Sequence, residues 1–139
     1  MPEPIRYTSP YFDLSARLVY TTTVAASPSA NAETIIGTLT IANFNDLAVL
    51  SGIRLRGWAA FTVGTSGVSA NLRIRQTNVS GTVVAATGAV TETAANLDEL
   101  EVQGTDAAPG VGVYVLTLTI GSGAATSTVS QLSLAGDVI

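Results

Sequence analysis

The 139-residue chain has no histidine, no cysteine and no lysine. Those absences exclude most side-chain chemistry. A nucleophile–base triad is built on His, or on Lys in its variants, and zinc draws nearly all its ligands from His and Cys. No disulfide can form, so stability must come from packing. Charge is scarce as well: 12% of residues are ionisable, against roughly 25% in ordinary soluble domains. No apolar run approaches the roughly 20 residues that span a bilayer. The opening Met-Pro-Glu-Pro-Ile-Arg lacks the basic and apolar regions of a secretory leader. The expectation is a non-enzymatic chain, made in a cytoplasm, with no cofactor, metal or membrane partner.

What is present is a β-forming sequence rich in Thr, Val, Ala, Leu and Ile. Hydrophobic residues make up 47%, enough for one packed domain at this length. With so little charge to keep its exterior wet, such a domain is expected to cover apolar surface with further copies of itself. The net charge is −4, from six arginines against ten acids, which argues against a phosphate-binding, nucleic-acid partner.

Residues 1–14 differ from the rest. Pro2, Pro4 and Pro10 favour extended backbone, yet Tyr7, Tyr11 and Phe12 are three of the eight aromatics in the protein. This stretch reads as an extended N-terminal arm, folded on its own domain or docked on a neighbour, ahead of a β domain over 15–139. Strand patterns then follow over 16–24, 33–42, 52–63, 68–77, 82–90, 111–120 and 126–139, with turn chemistry between them. The alternation puts Ile35, Leu39 and Ile41 on one face of the second. It puts Arg54, Arg56 and Trp58 opposite Ile53, Leu55 and Phe61 in the third. Residues 64–67 read as a hairpin loop, a break is expected at Gly88, and 104–110 reads as a loop. Residues 94–101 fit either a helical turn or an acidic edge strand. The whole predicts an all-β fold, a two-sheet antiparallel jelly-roll-like sandwich. An immunoglobulin-like sandwich is the alternative, without the Cys…Trp…Cys pattern of antibody domains.

The arginines carry the strongest functional signal. Arg54 and Arg56 are two apart, as are Arg73 and Arg75, so each pair shares a strand face. If 64–67 is a hairpin, all four guanidiniums meet on one sheet surface. There they need acids, which Asp98, Glu99 and Glu101 can supply within the chain or across an interface. An anion or glycan site and a solvated face with local salt bridges are the other readings. Trp58 beside Arg56 suits an interface or a sugar platform, or a ring packed under a loop. Asp98, Glu99, Glu101 and Asp106 lack the spacing of a calcium loop. Asn78-Val79-Ser80 matches the glycosylation triplet but has no secretory context.

The chain resembles the small all-β virion proteins of tailed bacteriophages, in particular decoration (cement) proteins and head-fibre or tail-fibre jelly rolls. The resemblance lies in the Pro/aromatic arm 1–12, the Thr-rich strands 18–24 and 34–41, the run Tyr114-Val115-Leu116-Thr117-Leu118-Thr119-Ile120, and the apolar end 132–139. It implies a homotrimer that binds the major capsid protein on the outer shell and stabilises it, located in the virion. The competing expectation is a receptor- or carbohydrate-binding head of a phage fibre. A shell-forming coat would need a basic interior arm, which is absent.

Overall fold

A computed structural model describes residues 18–20, 31–41, 52–94, 96–109, 112–121 and 127–138. The arm over 1–14, with Tyr7, Tyr11 and Phe12, lies outside the described residues. Those residues form nine strands and no helix. They are β1 (Leu18–Tyr20), β2 (Glu33–Thr40), β3 (Ile53–Val63), β4 (Ser69–Gln76), β5 (Val83–Ala86), β6 (Val90–Thr91), β7 (Asp98–Asp106), β8 (Val113–Ile120) and β9 (Ser127–Val138). Sheet A has the order β1-β9-β3-β7. Sheet B has the order β2-β8-β4-β5, with β6 also pairing β4. All pairings are antiparallel. With β5 and β6 counted as one interrupted strand, every connection but β4–β5 passes from one sheet to the other. That is the two-sheet jelly roll expected from the sequence. The interruption falls at Gly88, whose φ of 77° suits glycine.

Alternation supplies the core. The inward faces of β3 and β4 bring Ile53, Leu55, Ala59 and Phe61 against Ala70, Leu72 and Ile74. Leu116, Leu118, Leu132 and Leu134 join them in one buried cluster. Tyr114 is fully buried at one end of it.

Three local expectations are corrected. Residues 64–67 do not close a hairpin, because β9 and β7 already occupy both edges of β3. The chain therefore crosses to sheet B, where the apolar face of β4 looks back at that of β3 across the core. Secondly, β2 carries a bulge between Ile35 and Gly37. The extra residue turns Ile36 into the core and leaves Ile35 38% exposed. Thirdly, 104–106 is not loop but the end of β7. Gly104 pairs with Leu55 and is glycine because a Cβ there would stand 2.7 Å from that of Ala85. Residues 98–101 open the same strand, so of the two readings the acidic edge strand holds.

Candidate functional site: the two outer sheet faces

The crossover at 64–67 separates the two arginine pairs. Arg73 and Arg75 lie on the outer face of sheet B, Arg54 and Arg56 on the outer face of sheet A, with the core between them. The single four-guanidinium surface expected from a hairpin does not exist.

On sheet B the outward residues form rows across the strands: Glu33, Thr119 and Asn71; then Ile35, Thr117, Arg73 and Ala86; then Thr38, Val115, Arg75 and Val83. Glu33 is the hub. Arg75 donates to its two carboxylate oxygens from Nε at 2.7 Å and from Nη2 at 2.9 Å. Arg73 Nη1 lies 3.5 Å away, and the Thr117 hydroxyl donates to Oε1 at 2.5 Å. Arg75 also donates to the Gly81 carbonyl at 2.8 Å, and Arg73 to the Thr119 hydroxyl at 3.2 Å. Partial burial pushes the Glu33 carboxyl up, but the hydrogen bonds from Arg75 and Thr117 and the two positive charges outweigh it. The group sits below the ordinary carboxylate value. The bond to Glu33 in turn raises Arg75. Thr117, beneath this network, is fully buried although it faces outward. The bidentate fork is the geometry for which Arg is suited. The acids at 98–101 take no part.

On sheet A the rows are Thr105, Arg54 and Asp137; then Gln103, Arg56 and Ala135; then Glu101, Trp58 and Ser133; then Glu99, Ala60 and Gln131. Arg54 reaches Asp137 only at 3.9 Å, with both side chains about half exposed. Arg56, Glu99 and Glu101 are exposed and make no ion pair among the described residues. Trp58 is half-buried between Glu101 and Ser133.

Two further clusters close the ends of the sandwich. Asp106 is buried with every oxygen used: Oδ2 accepts from Tyr114 at 2.8 Å and from Gln76 at 2.7 Å, and Oδ1 from the Ala108 amide at 3.0 Å. Burial and this carboxylate push the Tyr114 hydroxyl far above its ordinary range. At the other end, Glu92 is buried against Asp98, and Glu92 Oε1 and Asp98 Oδ2 have no partner. Burial and the neighbouring carboxyl raise Glu92. No group of three or more His, Cys, Asp or Glu among the described residues could hold a metal ion.

Sequence reasoning named the arginines and Trp58 but missed Glu33, Glu92 and Asp106 as partners. Only the position of Glu33 at a strand start, with Thr117 and Thr119 far along the chain, could have hinted at its role. Its partners lie 42 and 84 residues away.

No protein-family model matches the chain, and no characterised protein matches it by sequence. Solved structures do. The VP2 subviral particle of infectious bursal disease virus superposes with a TM-score of 0.55 at 13% identity, over 86% of this chain and 32% of that one. The Gt strain of the same virus gives 0.57 at 13%, over 86% and 33%. A family 4 carbohydrate-binding module (CBM4) gives 0.50 at 13%, over 86% and 95%. The chain thus spans about a third of the viral proteins it matches and nearly all of the carbohydrate-binding module. These likenesses show the β-sandwich jelly roll.

Proposed function

We propose that the chain is a non-enzymatic virion structural protein, a capsid decoration (cement) protein that binds the outer shell as a homo-oligomer and stabilises it. The observation that carries this reading is the outer face of sheet A. It is polar, with Trp58 at its centre, an Arg54 that reaches Asp137 only at 3.9 Å, and Arg56, Glu99 and Glu101, which make no ion pair among the described residues. Such a face fits a protein partner. It offers no nucleophile–base pair. The same fold in VP2, which forms a subviral particle, supports the reading, as does the resemblance to phage decoration proteins. In this reading residues 1–14 are the docking arm. Tyr7, Tyr11 and Phe12 supply apolar area to the major capsid protein, and the prolines lower the entropy lost on docking.

The test is co-sedimentation with undecorated capsid shells of tailed bacteriophages. The full chain should pellet with a shell it decorates and raise the temperature at which that shell breaks. Deleting residues 1–12 should abolish pelleting and leave the circular-dichroism melt unchanged. Equal binding by the truncated chain removes the arm from the mechanism.

The second reading, a carbohydrate-binding fibre head, draws on the CBM4 fold and on Trp58 as a stacking platform. Binding of the purified chain to a glycan array, without binding to shells, would select it.

A further inference from the structure

The outer face of sheet A is charged in an ordered way. Along the strands, Arg54 and Arg56 occupy one half, with Asp137 beside Arg54 at 3.9 Å, and Glu99 and Glu101 occupy the other, and Gly57 marks the row between them. Counted from Gly57, Arg56 is one position to one side, while Trp58 and its neighbour Glu101 are one to the other. Arg54 is three positions away, matched by Ala60 and its neighbour Glu99. A face with this arrangement is complementary to itself when turned end for end.

We infer that two copies of the chain pack through this face, about a two-fold axis that crosses β3 at Gly57 and runs perpendicular to the strands. Such an axis lays β3 on β3 and β7 on β7 with strand directions reversed. Arg56 of each copy then lies over Trp58 of the other, beside Glu101. Arg54 lies over the row of Ala60, itself buried, beside the exposed Glu99, and Gln103 meets Glu101. The guanidinium over the indole is the favourable cation–π placement, and the Arg56–Glu101 pair joins two charges that make no ion pair among the described residues. An isologous contact of this kind closes after two copies. The pairing inferred here is two-fold, where the family resemblance implies a ring of three. The outer face of sheet B cannot serve in the same way, because Glu33 already holds its arginines.

This inference rests on the self-association in the proposed function, and it is tested apart from shell binding. Sedimentation equilibrium at low salt should show a dimer, weakened by added salt. Arg56→Glu and Glu101→Arg should each weaken association at least tenfold. The double variant Arg56→Glu/Glu101→Arg should restore it, which also excludes misfolding as the cause of the losses. Trp58 is the sole tryptophan, so its emission should shift on dilution through the dimer dissociation range. A parent that is monomeric or trimeric, single reversals that associate like the parent, or a double variant that stays monomeric would each overturn the pairing. So would saturable quenching of Trp58 in a monomer by a soluble polysaccharide, which would give the face to a glycan. A parent that dimerises as described but never pellets sinks the shell reading alone.

Discussion

The two arginine pairs have the same sequence form, Ile-Arg-Leu-Arg in β3 and Leu-Arg-Ile-Arg in β4, yet they meet opposite circumstances. On sheet B one glutamate takes up both arginines, and their side chains are left only 17% and 25% exposed. On sheet A Arg54 is half exposed, Arg56 is exposed, and among the described residues the ion pair is Arg54 with Asp137 at 3.9 Å. The first face is closed on itself and contributes to the fold. The second leaves Arg56, Glu99 and Glu101 exposed, with no ion pair among the described residues. An i, i+2 arginine motif is therefore tied into the fold or left exposed according to whether a distant strand delivers an acid to it.

The sharpest way to break this contrast is to remove Glu33. Glu33→Ala leaves two partly buried guanidiniums side by side without an anion, and Thr117 loses its acceptor. A cost of about 2–4 kcal/mol is expected, read as a lower urea midpoint with unchanged slope. A midpoint within error of the parent would mean that solvent holds the arginines as well as Glu33 does.

Titration separates the closed face from the carboxyl pair at the sandwich end. Glu33 is depressed in the folded state, so its contribution is complete above its ordinary value of 4.5 and is lost as pH falls through the lower folded value. Glu92 is raised, so the sign reverses. Its burial is tolerated below 4.5, and stability declines as pH rises through the raised folded value, then levels. Glu92→Gln should remove the decline on the alkaline side and make the protein more stable than the parent at pH 7. Glu33→Gln should lower stability at pH 7 and flatten the acid limb. Urea midpoints across pH 3–8 that keep the parent's shape in Glu92→Gln would show that Asp98 and Glu92 do not share the site.

The smallest effect is expected on the open face. Arg54→Ala should change stability by no more than about 0.5 kcal/mol, because an exposed pair at that distance contributes little. A loss approaching that of Glu33→Ala would erase the distinction between the two faces.

Most of the architecture was legible along the chain. Period-two alternation with turn residues between located β2, β3, β4, β8 and β9 within one or two positions and put Ile53, Leu55 and Phe61 of β3 on its inward face. This works because a strand's side-chain direction is a local property of an extended backbone. The same locality explains why Ile35 was misplaced: a single bulged residue reverses the alternation, and nothing in Glu-Thr-Ile-Ile-Gly marks where it falls. Gly104 carries a loop signal because glycine usually marks one, whereas in the fold it admits β5 close to β7.

The lack of His, Cys and Lys by itself removed the triads and zinc sites built on them, and the Thr/Val alternation by itself determined an all-β chain. Which faces those strands present to one another was decided only in three dimensions. Because β7 and β9 flank β3, the chain after Val63 had to cross the core, and the two arginine pairs were carried to opposite sides of the molecule. Glu33 meets Arg75 across 42 residues, and Glu92 meets Asp98 where two connections converge. Strand pairing is non-local, so the residue that neutralises a charge, or leaves it free for a partner, is set by sheet order and not by its neighbours in sequence.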